Sequence, residues 1–330
     1  NVGIDEPEPE IGFDGGIHGD EIGGAENLIR FAEFLCTNYG SDPEISNLID
    51  TREIWLYIMV NPDGRVNMTR ENANGVDLNR DWGYMWDAWG GSPGAYSQPE
   101  TKALRNWMYE NQFVVHTTYH SGTEELVYAW SYRPDPTPDD AAIDQLAYVY
   151  VSSSGYSNLP YAQGYSGLYP INGSSKDTYY GAMGSIGWTM EISHSKQPPA
   201  SQIMTYYNYN EPSMIAMIEY SGYGITGTVT DAETGEPIPA IIFVEDYFPT
   251  YTDPEGGDYH KYLLAGNYSV TAIANGYIPQ SKNNISVSEL SATTCDFSLS
   301  PGGGKYAFRI PASQDRKSTR LNSSHRYVSR

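Results

Sequence analysis

The sequence predicts a mixed-sheet α/β/α domain over residues 1–222, followed by a small all-β sandwich over residues 223–300. Two observations support this fold class. In the first part, continuous apolar runs typical of buried strands alternate with segments whose apolar residues recur at helical spacing. After Tyr223 the helical spacing ends, and short alternating segments separated by Gly, Pro and Asn turns replace it.

The first domain is predicted as an ordered series of strands and helices. In chain order the expected elements are a short strand at 11–17, a helix at 21–38, a strand at 54–60, a helix at 98–110, a strand at 113–120, a helix at 138–152, a loop at 155–185, a strand at 186–193 and a helix at 210–221.

Two of these elements carry sharper expectations. The continuous apolar run IWLYIMV at 54–60 is typical of a central strand buried on both faces. Ser97 and Glu100 have the spacing of a capping box, which predicts Ser97 as the N-cap of the following helix and Glu100 at its third position.

In the sandwich the expected strands are ITGTVTD, AIIFVED, NYSVTAIA and TTCDFSLS.

Composition restricts the partners. The formal net charge of −22 argues against nucleic acid, whose phosphates would be repelled. No apolar run approaches the length needed to cross a bilayer, so no transmembrane segment is expected. The two cysteines, Cys36 and Cys295, lie far apart in different predicted domains, so we expect no disulfide between them, and the redox compartment stays open.

The C-terminal segment 301–330 is predicted to be a linker followed by an artefact. Residues 315–330 change abruptly from acidic to basic and read like an in-frame translation of a sequencing-adapter oligonucleotide. Without them the net charge is −26.

Candidate metal ligands come from histidine and glutamate spacing. His18 and Glu21 lie three residues apart at a strand-to-helix junction, where both side chains can reach one point. His120 ends a predicted strand, a position typical of functional residues in open α/β sheets, and is the candidate third ligand. For His116 and His194 we favour structural roles. A site of two histidines and one glutamate leaves a fourth zinc position for water, as hydrolytic zinc sites do.

Such a site needs a separate carboxylate as general base. Glu191 alternates with apolar residues in the strand WTMEI. A lone glutamate in such a strand is more often a solvent-facing residue, so its spacing alone does not make it catalytic.

Seven ordered segments together resemble the peptidase M14 family of zinc carboxypeptidases, particularly the regulatory subfamily that includes carboxypeptidases D, E, M and N. The segments are EPEPEIGFDGGIHGDE, LYIMVNPDGR, GVDLNRDW, SQPET, YHSG, TPDD and WTMEIS. The resemblance covers about residues 5–222, and the sandwich resembles the transthyretin-like domain that follows catalysis in this subfamily. Relatives have a strand-helix segment before the first zinc-binding histidine that is absent here, so we expect the N-terminal part of the catalytic domain to be missing.

The resemblance implies a function and a set of site residues. It implies a peptidase that acts on the C-termini of peptides or proteins, holds one Zn²⁺, and is secreted or otherwise extracytoplasmic; the oligomeric state stays open. The implied zinc ligands are His18, Glu21 and His120, the implied general base is Glu191, the implied oxyanion arginine is Arg70, the implied carboxylate clamp is Asn79 with Arg80, and the implied closing tyrosine is Tyr169.

Lys176 occupies, by the same resemblance, the base of the pocket for the departing side chain. A cation there is expected to favour C-terminal Glu or neutral residues over Lys and Arg. Two alternatives stay open: Lys176 pairs with the neighbouring Asp177, or it reaches solvent from a loop. Asp81 stands where relatives have Asn, and either weakens the clamp or caps it.

Two other functions remain as alternatives. One is a catalytically weak binding or adhesion module of the same fold. The other is a related zinc amidohydrolase that acts on cell-wall peptides. The presence of Arg80 and Tyr169 favours a substrate with a free α-carboxylate over the second alternative.

Overall fold

A computed structural model of the chain describes residues 7–253, 255–302 and 304. The segment 315–330, predicted to be an artefact, lies outside these residues. The first part is built on one mixed, six-stranded sheet with the strand order β2-β1-β3-β6-β4-β5. Its strands are β1 (Glu10–Gly15), β2 (Glu53–Tyr57), β3 (Phe113–His120), β4 (Glu124–Tyr128), β5 (Tyr161–Gln163) and β6 (Ile186–Ile192). Strand β4 runs antiparallel to β6, and the other pairs are parallel.

Helices cover both faces of this sheet. They are α1 (Gly23–Asn38), α2 (Pro43–Asp50), α3 (Pro62–Asn67), α4 (Pro99–Glu110), α5 (Asp140–Ser153), α6 (Gly164–Gly167), α7 (Ser175–Met183) and α8 (Ala200–Tyr220). One apolar core joins α1, α5 and α8 to the sheet, and a second joins α4 and α7 to it. Side chains of β3 point alternately to the two cores. Tyr119 packs in the first core, while the ring of His116 stacks on Tyr179 of α7, which belongs to the second. The predicted α/β/α layering is confirmed.

The second part is a β-sandwich with its own apolar core. One sheet has the order β10-β7-β13, with β14 also paired to β7, and the other has the order β12-β11-β8-β9. The strands are β7 (Gly224–Asp231), β8 (Ile241–Val244), β9 (Thr250–Tyr251), β10 (Asp258–Lys261), β11 (Gly266–Ile273), β12 (Gln280–Val287), β13 (Ala292–Thr294) and β14 (Phe297–Leu299). Pairing is antiparallel except that β13 and β14 run parallel to β7.

The apolar run at 54–60 is not a central strand, and that prediction was wrong. Strand β2 ends at Tyr57 and lies at the edge of the sheet, paired only with β1. Every residue of β2 is half-buried rather than buried. The run is apolar because Trp55 and Tyr57 pack beside Trp107 of α4, not because strands flank it on both sides.

The predicted capping box was also wrong. Gln98 is the N-cap of α4 and makes no side-chain cap. The hydroxyl of Ser97 donates instead to Asp81, 2.5 Å from its Oδ1 atom, and the Gln98 amide donates to Asp81 Oδ2 at 3.0 Å. A buried carboxylate from another part of the chain therefore takes the place of the local cap, because it satisfies the free amide at the helix start.

Several elements have bounds that differ from the prediction. The segment 155–185, predicted as a loop, contains β5, α6 and α7. Its Gly, Ser and Tyr content is typical of loops, but burial of α7 against the sheet overrides that propensity. Helix α8 begins at Ala200, ten residues earlier than predicted, and continues through Pro212. Helices α2 and α3 and strand β4 had not been predicted at all.

Candidate metal centre and substrate cleft

Three buried side chains meet at the carboxyl ends of β1 and β3. His18 Nδ1 lies 2.8 Å from Glu21 Oε1, His120 Nδ1 lies 2.9 Å from Glu21 Oε2, and the two Nδ1 atoms lie 3.1 Å apart. All three residues are at most 3% exposed. In the described part of the chain, these three residues form the cluster of histidine and carboxylate side chains that could hold a metal ion.

Sheet topology explains why these residues meet. Strands β1 and β3 are parallel neighbours, so their carboxyl ends lie side by side at one edge. His120 is the last residue of β3, and His18 follows β1 in the turn that leads to α1. A Cβ atom at Gly19 would lie 1.9 Å from the carbonyl carbon of Gly64, so only glycine lets this turn pack directly on α3.

The electrostatics of the cluster favour a bound cation. Burial acts to lower the pKa of His18, but the Glu21 carboxylate and the hydrogen bond to Asp77 raise it overall. Burial acts to raise the pKa of Glu21, yet His18 and His120 hold it well below its usual range. Burial lowers the pKa of His120, which keeps its imidazole neutral. One carboxylate and two ring nitrogens aimed at a common point form a donor set that fits a zinc ion.

Glu191 lies beside this cluster. Strands β3 and β6 pair in parallel register, and His120 is opposite Glu191. The Glu191 Oε2 atom is buried and has no hydrogen-bond partner among the described residues. Burial and the nearby Glu21 carboxylate raise the pKa of Glu191 to about 7. A carboxyl group with this pKa can both accept and release a proton near neutral pH.

Asp77 orients two members of the site and was missed from the sequence. Its Oδ1 atom lies 3.2 Å from His18 Nε2, and its Oδ2 atom accepts from Arg70 Nε at 2.9 Å. The guanidinium of Arg70 is thereby held with Nη1 3.2 Å from His18 Nδ1 and 3.7 Å from Glu21 Oε1. Arg70 thus lies at the metal cluster. Asp77 lies within the quoted motif GVDLNRDW, and an acid that binds the outer nitrogen of a metal-ligating histidine is a common arrangement.

Asn79 and Arg80 lie in a single turn of 3₁₀ helix, Leu78–Arg80. The Asn79 side-chain oxygen accepts from the Ser175 amide at 3.0 Å, which leaves the amide nitrogen donors available. Arg80 is 8% exposed and donates from Nη2 to the hydroxyl of Tyr169 at 3.4 Å, while Tyr169 itself is 48% exposed. No ion pair to Arg80 forms within the residues that the structure describes.

Lys176 is in the first turn of α7 and is 1% exposed. It therefore does not reach solvent from a loop. The neighbouring Asp177 carboxylate accepts from the backbone amides of Ser131, at 2.9 Å, and Tyr132, at 3.2 Å. Asp177 still influences Lys176 electrostatically: burial lowers the pKa of Lys176, and Asp177 and Glu191 oppose that change, while Arg80 reinforces it.

The end of the Lys176 side chain packs beside Ser131 and Gly164. A Cβ atom at Gly164 would lie 2.2 Å from Ser131 Oγ and 2.8 Å from Lys176 Cε. Ser131 is fully buried, and its Oγ atom has no hydrogen-bond partner among the described residues. Only glycine at position 164 therefore lets the backbone pass this close to the Ser131 hydroxyl and the end of the Lys176 side chain.

The other residues singled out from the sequence lie away from this cleft. His116 is fully buried with Nε2 3.1 Å from Asp14 Oδ2, and His194 is exposed, 3.8 Å from Glu124. Both are separate from the metal cluster. Asp81 is fully buried and its carboxylate accepts from Ser92, Ser97, Gln98 and Thr101, so it anchors the loop after Arg80.

Two family models match the chain. The model described as "Zinc carboxypeptidase" matches residues 4–213, and the model described as "Carboxypeptidase regulatory-like domain" matches residues 224–300. No helix in the described ranges is both long and apolar enough to cross a membrane.

Curated relatives match over most of this chain. Carboxypeptidase SOL1 of Arabidopsis thaliana is 31% identical over 312 residues, which cover 90% of this chain and 62% of the relative. Carboxypeptidase D of Rattus norvegicus is 31% identical over 89% of this chain and 24% of its own length. Carboxypeptidase M of Mus musculus is 30% identical over 82% of this chain and 67% of its own length. The chain thus spans less than two thirds of the first two relatives.

Solved structures share the fold at lower identity. The crystal structure of thrombin activatable fibrinolysis inhibitor superposes with a TM-score of 0.59 at 20% identity, covering 66% of this chain and 62% of that one. The crystal structure of carboxypeptidase A from Helicoverpa armigera gives a TM-score of 0.50 at 16% identity, covering 65% of this chain and 59% of that one. At these identities the likeness shows the fold alone.

Proposed function

Because this chain belongs to the peptidase M14 family of zinc carboxypeptidases, with a carboxypeptidase regulatory-like domain after the catalytic part, we propose that it hydrolyses the C-terminal peptide bond of peptides or proteins. We propose further that it does so with one zinc ion held by His18, Glu21 and His120. The acidic composition and the family both favour an extracytoplasmic location.

One observation carries the proposal. The Glu191 carboxyl group, whose Oε2 atom has no hydrogen-bond partner among the described residues, lies in register with His120, one of three converging metal-ligand candidates. An unpartnered buried carboxyl oxygen costs stability, and such groups concentrate at sites of proton transfer. Zinc bound there supplies a Lewis acid that polarises a carbonyl group and makes water more acidic.

Substrate binding is assigned to a buried arginine and its neighbours. The Arg80 guanidinium lacks an acidic partner among the described residues and is suited to bind the α-carboxylate of a peptide through two parallel hydrogen bonds. The Nδ2 donors of Asn79 extend that clamp. The exposed ring of Tyr169, whose hydroxyl already reaches Arg80, would close over the bound residue and exclude water.

Proton transfer is assigned to Glu191. Its carboxylate accepts a proton from the attacking water and then delivers that proton to the nitrogen of the departing residue. Arg70 donates hydrogen bonds to the scissile carbonyl oxygen as negative charge develops on it. Asp77 holds Arg70 and His18 in place, so the donors need little reorganisation during the reaction.

We also propose that the departing residue is acidic or neutral rather than basic. The buried ammonium of Lys176, beside the hydroxyl of Ser131, would bind a side-chain carboxylate and repel a cation. Asp177 reduces this preference without cancelling it, since its carboxylate is held by the amides of Ser131 and Tyr132.

The test uses the purified chain loaded with zinc and a pair of peptides that differ only at the C-terminus. We expect release of the C-terminal residue from the free acid and no release from the C-terminal amide, because Arg80 requires a carboxylate. Glu191→Gln should keep zinc and substrate affinity while kcat falls by roughly 10²- to 10⁴-fold. Equal cleavage of acid and amide, or a Glu191→Gln variant with wild-type kcat, would contradict the proposal.

A further inference from the structure

We propose that the β-sandwich is a positioning element of the substrate pocket: Phe248 and Lys261, through Asp139 and Tyr180, hold in place the two chain segments that enclose Lys176. The inference rests on the proposed function for its kinetic consequence. Its structural part concerns contacts between the sandwich and helix α7, and these can be tested without activity.

Asp139 is the centre of these contacts. It is fully buried, directly before α5, and its Oδ1 atom lies 2.8 Å from Nζ of Lys261 in β10. Its Oδ2 atom accepts from the backbone amide of Phe248 at 3.0 Å and from the hydroxyl of Tyr180 in α7. One carboxylate therefore joins two sites of the sandwich to one helix of the catalytic domain, with both charges of the ion pair removed from solvent.

Phe248 makes the apolar half of the connection. This residue lies between β8 and β9, is 2% exposed, and belongs to the main core of the catalytic domain. Its ring centroid lies 4.9 Å from that of Tyr180 and 6.2 Å from that of Trp130. The next residue, Pro249, presents its carbonyl oxygen to Gly184 at the end of α7, where a Cβ atom would lie 2.1 Å away.

Tyr180 and Trp130, the two rings that Phe248 contacts, are close in sequence to the residues of the proposed pocket. Tyr180 is one turn along α7 from Lys176. Trp130 immediately precedes Ser131 and Tyr132, whose amides bind Asp177. The sandwich thus contacts α7 through Tyr180 and the 130–132 segment through Trp130. These two segments supply the Lys176 ammonium, the Ser131 hydroxyl and the Asp177 carboxylate of the proposed pocket.

The position of α7 depends on this support because its own sequence supplies little. Residues 173–185 are rich in Gly, Ser and Tyr, a composition that predicted a loop rather than a helix. Helix α7 is restricted in its motion because it is buried against the sheet on one side and against Phe248 on the other. Removing the Phe248 ring leaves a void beside Trp130 and Tyr180, into which either ring can shift.

The experiment compares aromatic truncations at two places on the same interface. Phe248→Ala removes the ring behind the pocket, and Phe248→Leu keeps most of the apolar volume if the alanine variant does not fold. Tyr262→Ala is the matched control, because Tyr262 is also buried in the main core but packs near Tyr220 at the end of α8, away from the pocket. Lys261→Met removes the charge, and Lys261→Arg restores it.

Three readouts are taken on the full, zinc-loaded chain: Tm, kinetics with peptides ending in Glu or Phe, and hydrogen exchange of the peptides that cover 129–133 and 175–183. For Phe248→Ala and Lys261→Met we expect faster exchange in both segments, an increase in KM of about 2- to 30-fold and a smaller Glu-over-Phe preference, with kcat changed less. Tyr262→Ala should lower Tm without these changes, and Lys261→Arg should restore KM.

The inference is overturned if Phe248→Ala lowers Tm but leaves exchange at 129–133 and 175–183 as in the wild type. It is equally overturned if Tyr262→Ala changes exchange and KM to the same extent, since the effect would then be general destabilisation. Absence of peptidase activity in the wild type would contradict the proposed function, and the exchange data would still decide the positioning role.

Discussion

Substitution of Lys176 by glutamine removes one charge from the proposed pocket and keeps a polar side chain of somewhat smaller size. The wild-type ammonium is buried and forms no ion pair within the described ranges of the chain. Glutamine keeps a hydrogen-bond donor, one bond short of the ammonium position, so the variant chiefly tests the contribution of charge. We expect peptides ending in Glu to lose kcat/KM, peptides ending in Leu to change little, and peptides ending in Lys or Arg to gain.

The magnitude follows from the surroundings of the ammonium. Two opposite unit charges about 4 Å apart interact by about 4 kcal/mol at an effective dielectric constant of 20. Desolvation of the substrate carboxylate and the nearby Asp177 and Glu191 reduce that gain. A net preference of about 1–3 kcal/mol remains, which corresponds to roughly 5- to 150-fold in the ratio of kcat/KM for Glu over Leu.

The assay is a matched series of acyl-dipeptides ending in Glu, Phe, Leu, Lys and Arg, compared between the wild type and Lys176→Gln. Lys102→Gln is the control, because Lys102 is exposed on α4 and its loss changes the total charge equally. If the wild type cleaved Lys and Arg ends fastest, or if Lys102→Gln changed the Glu-to-Leu ratio as much as Lys176→Gln, the pocket assignment would be refuted.

Three further outcomes follow from the site. His120→Ala should lose most zinc in metal analysis and essentially all activity, because two ligands hold the ion poorly; full zinc occupancy would refute the ligand assignment. Asp81→Ala should lower the free energy of unfolding by about 2–5 kcal/mol in urea denaturation, with a smaller loss for Asp81→Asn, since four donors lose their acceptor. As the proposed general base, Glu191 would act as a carboxylate, so kcat/KM should fall as the pH drops through its pKa. Bound zinc and Lys176 both lower that pKa, so Lys176→Gln should move the acid limb of the kcat/KM profile to higher pH.

Local patterns predicted the layered fold and the strands that carry the site. The run FVVHTTYH predicted β3 with its correct ends, and its last residue, His120, lies beside His18 and Glu21. Such predictions succeed because a buried strand and its terminal functional residue are adjacent in sequence. The roles of Asn79, Arg80 and Tyr169 were implied only by resemblance, because a clamp built from residues about 90 apart leaves no local pattern.

The predictions that failed involve contacts between distant segments. The capping box at Ser97 has the correct local spacing, but the carboxylate of Asp81, sixteen residues earlier, accepts hydrogen bonds from the Ser97 hydroxyl and the Gln98 amide instead. The run at 54–60 has the composition of a central strand, but sheet order places β2 at the edge. Helix α7 is stabilised by the sheet and by Phe248, so its own propensity was misleading. In each case tertiary packing outweighed a weaker local preference.

The basic residues near the metal cluster differ in whether they have an acidic partner. The chain contains 41 acidic residues against 19 basic ones, so an ion-pair partner for a buried cation is abundant. Near the metal cluster, Arg70 pairs with Asp77 and Lys196 pairs with Asp20. Arg80 and Lys176 are more deeply buried than Arg70 and Lys196. Neither of them forms an ion pair among the described residues. Burying an unpaired cation costs stability, and a bound dianionic residue, with its α-carboxylate on Arg80 and its side chain on Lys176, would compensate both.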